Sequence, residues 1–288
     1  MANFLADVCE AMAETRPDYK PSELQADISA AIYGSNMIES AGTSYDLTVN
    51  ICYSIFHGNQ VEAQVDESAQ DADYMAHVEF LANHDRKATE TAVAASRRDV
   101  INHCHAFKYM IGEVILRDKP ISEEIICEAH RILARGFTDH GDDFVAGEYR
   151  RYEVGVKYGK GKAHMCMRWS AIQQRMAQLC RDVPSDATAT GAERDAFALA
   201  ARCHHNFVYI HPFGDGNGRV TRILMNVLLL KYAGRICTIG LSKEDVDEYL
   251  GIVTRGCKRL HEEDYEVARE EQTSYVELAA YLSMKSVR

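Results

Sequence analysis

Between residues 211 and 222 the chain reads His-Pro-Phe-Gly-Asp-Gly-Asn-Gly-Arg-Val-Thr-Arg, a concentration of groups that handle phosphate. Gly214, Gly216 and Gly218 permit positive φ, so that backbone N–H groups can converge on one anion. The run lies between two apolar helical stretches, Phe197 to Ile210 and Ile223 to Tyr232. It therefore reads as a helix–loop–helix. Its second helix starts near Gly218 and aims its terminal amides and dipole at the same point. Arg219 and Arg222 stand three apart on the first turn of that helix, face one side and supply two forked cations. Asp215 is a hard oxygen ligand of the kind that takes Mg²⁺. His211, at the entrance to the loop, titrates in the range needed to accept a proton from a hydroxyl. Group transfer at phosphorus needs positioning, charge neutralisation and one proton acceptor, and this loop carries all three without a covalent nucleophile.

The elements that must hold this loop are mostly helical. The chain has 288 residues, enough for one large domain, with 47% hydrophobic and 26% charged residues. That is ordinary globular composition. The net charge of −11 argues against a general nucleic-acid binder, which needs excess basic charge to neutralise phosphates. Asp7, Glu10 and Glu14 break up the first 20 residues, so a secretory signal is not expected. The longest apolar stretch, Ile223–Leu230, is interrupted by Asn226 and too short to span a bilayer. Nine scattered cysteines then read as reduced thiols, and the expected location is cytoplasmic or nuclear.

A capping box at Ser22 and Gln25 should start a helix with Leu24, Ile28, Ala31 and Ile32 on one face. Gly34 and Gly42 bracket a short segment, Ser35–Glu39. Residues 58–73, rich in Gln, Glu and Asp, read as a solvated loop or a helix edge. A long amphipathic helix is expected over 88–116, stopped by Pro120, with Ser122 capping the next as far as Gly136. Residues 136–163 hold six glycines and read as a loop followed by a β-hairpin turning near Gly159-Lys160-Gly161. Further helices are expected over Trp169 to Cys180, 193–209, 219–233, 243–255 and 264–284, with Pro184–Gly191 as a short linker. The fold class is all-α with a small inserted hairpin. The organisation is a helical region at 1–95 and a core with C-terminal helices at 96–288, packed as one compact domain.

The 211–222 run resembles the signature of the Fic family, HPFx(D/E)GNGRxxR, at His211, Pro212, Phe213, Asp215, Gly216, Asn217, Gly218, Arg219 and Arg222. The flanks are similar to Fic proteins from about Ser96 to Gly256. The resemblance implies a Fic-fold helical core and a protein adenylyltransferase that moves AMP from Mg-ATP to a hydroxyl side chain of a target protein. It makes His211 the general base, gives Mg²⁺ to Asp215, and gives the α- and β-phosphates to Gly216, Asn217, Gly218 and Arg219. The γ-phosphate goes to Arg222, and Phe213 anchors the loop.

The same resemblance makes residues 147–156 the Fic flap, which pairs with an extended target segment as an added strand. Val154 then lies near the nucleotide. Met165-Cys166-Met167 follows where related chains often carry prolines. Ser35–Ser40 resembles the family's inhibitory motif, (S/T)xxxE(G/N), with Ser40 departing at the last position. In that reading Ser35 and Glu39 engage Arg222 and block the γ-phosphate. Tyr249 matches a position near the adenine pocket, but Thr254, Arg255 and Gly256 replace the asparagine that often follows.

His103-Cys104-His105 and Cys203-His204-His205 are not promoted to metal sites, because neighbours on a helix point about 100° apart. His204 is expected to pack near the loop, and Asn226 to bond between helices. The expectation is thus a self-inhibited AMP-transferase using ATP and Mg²⁺, with an extended target protein as partner. Neither nucleic acid nor membrane is expected as a partner. Fic proteins often form homodimers, and the sequence leaves the oligomeric state open. The rivals are a hydrolase that removes AMP at the same site, a nucleotide-sensing module without turnover and, last, a zinc hydrolase.

Overall fold

The computed structural model describes residues 3–64, 72–137, 143–156, 164–188 and 196–286. Among them stand eleven α-helices and one two-stranded hairpin, the expected all-α class. The helices are α1 (Phe4–Ala11), α2 (Pro21–Ile38), α3 (Tyr45–Phe56), α4 (Ala72–Asn83), α5 (Glu90–Ile111) and α6 (Glu123–Leu133). There follow α7 (Ile172–Thr188), α8 (Ala196–Ile210), α9 (Asn217–Ala233), α10 (Lys243–Glu266) and α11 (Val276–Lys285). In the hairpin, β1 (Gly155–Val156) runs antiparallel to β2 (His164–Met165), with Gly155 opposite Met165. Its expected turn at 159–161 lies outside the described residues.

The core is organised by α9. Every residue from Arg219 to Leu230 is buried, which marks a central helix rather than an amphipathic surface one. It packs against α8, α5, α2 and α6. One hydrophobic cluster runs from Leu5 on α1 to Leu282 on α11. Gly234, in the left-handed region at φ 61°, ends α9 as a C-terminal cap. No helix is long and apolar enough to cross a membrane among the described residues. All nine cysteines are free thiols.

Several local expectations are corrected. Ser22 is not the cap of α2: Lys20 holds that position without a side-chain bond, and Pro21 starts the helix, where its missing N–H costs nothing. Gly34 does not break the helix. A Cβ on Gly34 would lie 2.0 Å from the Ile239 carbonyl oxygen, and one on Gly240 would lie 2.3 Å from the Gly34 carbonyl oxygen. These two glycines let the backbones touch, which fixes the end of α2 against the segment before α10.

α5 runs as expected and continues through a π turn, Gly112–Leu116. Ser122 caps α6 by accepting from the Ile125 amide. α7 passes through Pro184 to Thr188, so the linker does not begin at Pro184; residues 189–195 lie outside the described ones. The helix expected over 264–284 is split. The Glu263 carboxylate accepts from the Thr273 and Ser274 amides and the Thr273 hydroxyl, folding the chain between α10 and α11. α1, α3 and α4 were not anticipated. All are of twelve residues or fewer, and α4 begins at the end of the stretch read as a loop or a helix edge.

Candidate active site

The loop between α8 and α9 is braced from beneath by side chains that bond to its backbone. Asn217, the first residue of α9, accepts from the Phe213 amide at 3.0 Å and donates to the Phe213 carbonyl at 2.8 Å. Phe213 is fully buried and stacks on His130 with ring centroids 3.7 Å apart and planes 1° from parallel. His130 Nδ1 accepts from the Gly147 amide at 2.8 Å. Its Nε2–H therefore donates to the Asp215 carbonyl, 2.9 Å away. Burial pushes the His130 pKa down to about 4, so the ring is neutral and keeps this tautomer near pH 7. Gly216, at φ 76°, turns the chain into α9.

Arg150 clamps the loop from the flap side. It is almost wholly buried. Its guanidinium donates to the carbonyls of His211 (2.8 Å), Tyr152 (2.6 Å), Met167 (2.5 Å) and Ile210 (3.4 Å). Its own amide donates to the Pro212 carbonyl at 2.9 Å. His211 itself sits at φ 50°, an uncommon conformation for a non-glycine residue. Burial and then the Arg150 charge push the His211 pKa down to about 4, against the pull of the Val208 carbonyl, Glu39 and Asp215. At neutral pH its imidazole is a free base.

The end of α2 reaches the start of α9. Arg222 donates from Nε to the Ser35 hydroxyl at 2.8 Å. From Nη2 it donates to the Ser35 carbonyl at 3.0 Å and to Glu39 Oε1 at 2.5 Å. Burial disfavours the Arg222 charge, but Glu39 and Tyr249 outweigh it and raise the pKa. A Cβ on Gly218 would lie 2.2 Å from Glu39 Oε1. The carboxylate thus rests on the N-terminal turn of α9, where an anion is favoured.

Glu39 caps the C-terminus of α2, with Ala41 N–H bonded to the Asn36 carbonyl and Ser40 N–H to that of Met37. This is a Schellman turn whose left-handed position is Ser40, at φ 52°. Its strain explains the preference for Gly or Asn at the sixth motif position.

Residues 120–229 match the model of the Fic/DOC family. Over that stretch the chain is similar to the family. The protein adenylyltransferase Fic of Aedes aegypti is 30% identical over 158 residues, which are 51% of this chain and 28% of that protein. Its counterpart from Nematostella vectensis is 28% identical over 178 residues, 59% of this chain and 39% of that one. The chain thus spans well under half the length of these curated relatives. The fold is similar to that of a Fic-domain-containing signaling protein from Bacteroides thetaiotaomicron. The TM-score is 0.67 at 20% identity, covering 99% of this chain and 93% of the other.

The residues singled out by sequence mostly converge, with departures at Arg219, Tyr249 and Asn226. Arg219 and Arg222 do not share partners: Arg219 pairs with Asp99 of α5 at 3.0 Å, and its guanidinium lies 4.8 Å from the Phe137 ring centroid. Tyr249 is not on an open wall. It is sealed under Arg222, 5.9 Å from ring centroid to guanidinium, and its hydroxyl meets His204 Nε2 at 2.6 Å. His204 therefore packs beneath the site as expected. Asp215 is half-buried on the loop. The Val154 carbonyl accepts from the Cys166 amide, just outside the β1–β2 pair. Asn226 accepts from the Cys237 amide, bonding a helix to the following segment rather than to another helix. Gly256 gives space to the buried His205, 2.3 Å from where a Cβ would stand.

Sequence reasoning gave no role to His130, Arg150 or Asp99. His130 and Asp99 sit on helices far from the motif in sequence, and no spacing rule joins them to it. Arg150 stood inside the recognised flap, where a buried arginine cannot be told from an exposed one.

Proposed function

We propose that this Fic protein transfers AMP from Mg-ATP to a hydroxyl side chain of a target protein and restrains itself through Glu39. The observation that carries this reading is the carboxylate of Glu39 seated on the first turn of α9 and bonded to the buried Arg222. An anion is already held where the geometry would receive phosphate. The names of the curated relatives support the same chemistry.

In this mechanism the first turn of α9, with Gly216, Asn217 and Gly218, receives the α- and β-phosphates through backbone amides. The Asn217 side chain is committed to Phe213, so its part is through the backbone. Arg219 and Arg222 neutralise phosphate charge, Arg222 at the γ-phosphate once Glu39 withdraws. His211, neutral and adjacent, accepts the proton as the target hydroxyl attacks the α-phosphorus and pyrophosphate leaves. Among the described residues no group of three His, Cys, Asp or Glu could hold a metal ion by itself. A single carboxylate suits Mg²⁺ that arrives bound to phosphates. Asp215 would hold it, and the ion would supply charge neutralisation. The target lies along the flap at 147–156 in extended form, next to Val154, and the compartment is cytoplasmic or nuclear.

Arg222 is buried but the Glu39 side chain is 36% exposed, so the pair is worth less than a fully desolvated one, about 3–5 kcal/mol. About 2.7 kcal/mol, half of the ~5.5 kcal/mol that reverses a 1:99 equilibrium, holds an equilibrium at 99:1. One Glu–Arg pair of this kind can restrain most molecules, without a wide margin. The test is to incubate Glu39→Gly, and Glu39→Gly with His211→Ala, with Mg-ATP and to weigh the intact protein. The expected result is the mass gain of one AMP in the single variant, little in wild type and none in the double variant. Equal gain in wild type and Glu39→Gly overturns the restraint. ATP binding without any transfer to the chain or to lysate proteins overturns the transferase reading in favour of AMP removal or nucleotide sensing.

A further inference from the structure

The two arginines of the loop are each met by a carboxylate, and the two carboxylates differ in kind. Glu39 comes from the end of α2, is partly exposed, and lies over Gly218 in the space of the anion. Asp99 comes from the middle of α5 and meets Arg219 Nη1 at 3.0 Å. Arg219 is 6% exposed, and its Nε is sealed from solvent without a hydrogen-bond partner. The Phe137 ring lies 4.8 Å from the guanidinium centre, and the Asp99 bond adds a second point of reference. A cation held by one carboxylate and one ring, with an N–H left over, is oriented but not saturated.

The turn of α5 that carries Asp99 is itself fixed. Asp99 lies one turn beyond Ser96, whose hydroxyl donates to the Gly42 carbonyl at 2.6 Å. Arg86, within electrostatic reach of Asp99, donates to that same carbonyl at 2.9 Å. Gly42 immediately follows the Schellman turn that ends α2. The support of Arg219 is thus built into the core and does not depend on the Glu39 side chain.

We propose that Asp99 is the positioning residue for Arg219. It holds the guanidinium at the start of α9 as the clasp for the phosphate beyond the α-phosphate of a nucleotide. The proposal rests on the nucleotide reading above. It predicts a selectivity: Asp99 matters for a ligand that carries a β-phosphate and is nearly silent for one that does not.

The experiment uses the full chain with Glu39→Gly, so that Arg222 is open, and titrates ATP and AMP by calorimetry. Adding Asp99→Asn should weaken ATP at least about tenfold and AMP less than about twofold, and should raise KM for ATP more than it lowers kcat. Asp99→Glu should recover part of the ATP affinity. Arg219→Lys, with Asp99 intact, should show the same ATP-selective loss and so keeps the proposal falsifiable if Asp99→Asn does not fold. Equal weakening of ATP and AMP, or unchanged ATP binding in either variant, overturns the positioning role. If Glu39→Gly alone binds no ATP, the nucleotide reading fails first; if it binds and Asp99→Asn binds as tightly, only the role of Asp99 fails.

Discussion

The loop at 211–217 leads into the first turn of α9, on which the last turn of α2 rests, but the two are held in opposite ways. The loop is over-determined: Asn217, His130 and Arg150 each bond to its backbone, and Phe213 is stacked beneath it. The end of α2 carries a non-glycine residue in the left-handed region, and its decisive side chain is partly exposed. Positioning of phosphate and base needs rigidity, whereas a restraint must be removable. The difference in support separates the two tasks within a few ångströms.

Acid should break the loop first and give the largest effect. His130 and His205 are buried, and burial lowers both pKa values to about 4 from an ordinary value of 6.5. Between those pH values the unfolded chain binds protons that the folded one refuses, so stability falls as pH drops from 6.5 toward 4. Each fully buried histidine can contribute on the order of 3 kcal/mol across that window. Urea unfolding at pH 7 and pH 4.5 measures it, and equal midpoints would refute the neutral-histidine scaffold.

Arg150→Met should come next. It leaves four carbonyls without their shared donor, at a cost of about 3 kcal/mol or more in stability. Transfer should drop with it, because His211 is no longer pinned. Chemical denaturation together with AMP transfer in a Glu39→Gly background reads both, and retention of full activity would exclude the clamp.

The smallest effect belongs to the α2 end. Ser40→Gly relieves about 1–2 kcal/mol of left-handed strain and loses about 0.5–1 kcal/mol to chain entropy. A net stabilisation of up to about 1.5 kcal/mol is expected, with tighter restraint of the wild-type Glu39 protein. Its melting temperature and basal transfer rate measure the two sides, and a destabilised variant would refute the assignment of Ser40 to the strained cap.

The parts of the molecule differ in how legible they were. The loop could be read because its chemistry is local: glycines, arginines and a histidine within twelve residues, between two apolar runs. α5, α6, α8 and α9 were readable from periodicity and caps. The contact of Glu39 with Arg222 spans 183 residues and was reached only through the family motif. His130, Arg150 and Asp99 were out of reach because their roles rest on burial and on distant backbone carbonyls, which leave no periodic mark. Gly34 could be read only as the boundary of a short segment, because its contact with residues 239 and 240 is likewise distant in sequence.

That backbone contact bears on how the proposed restraint by Glu39 can be lifted. Two glycines pressed carbonyl to Cα rivet α2 just before its last turn, so the helix has no room to slide along the core. The whole element cannot act as a piston, and release falls to the final turn and the Glu39 side chain alone. A single methyl group at 34 or 240 would act as a wedge and pry that turn off Arg222. The restraint could then be lost through a substitution that touches no charge and no hydrogen bond of the site.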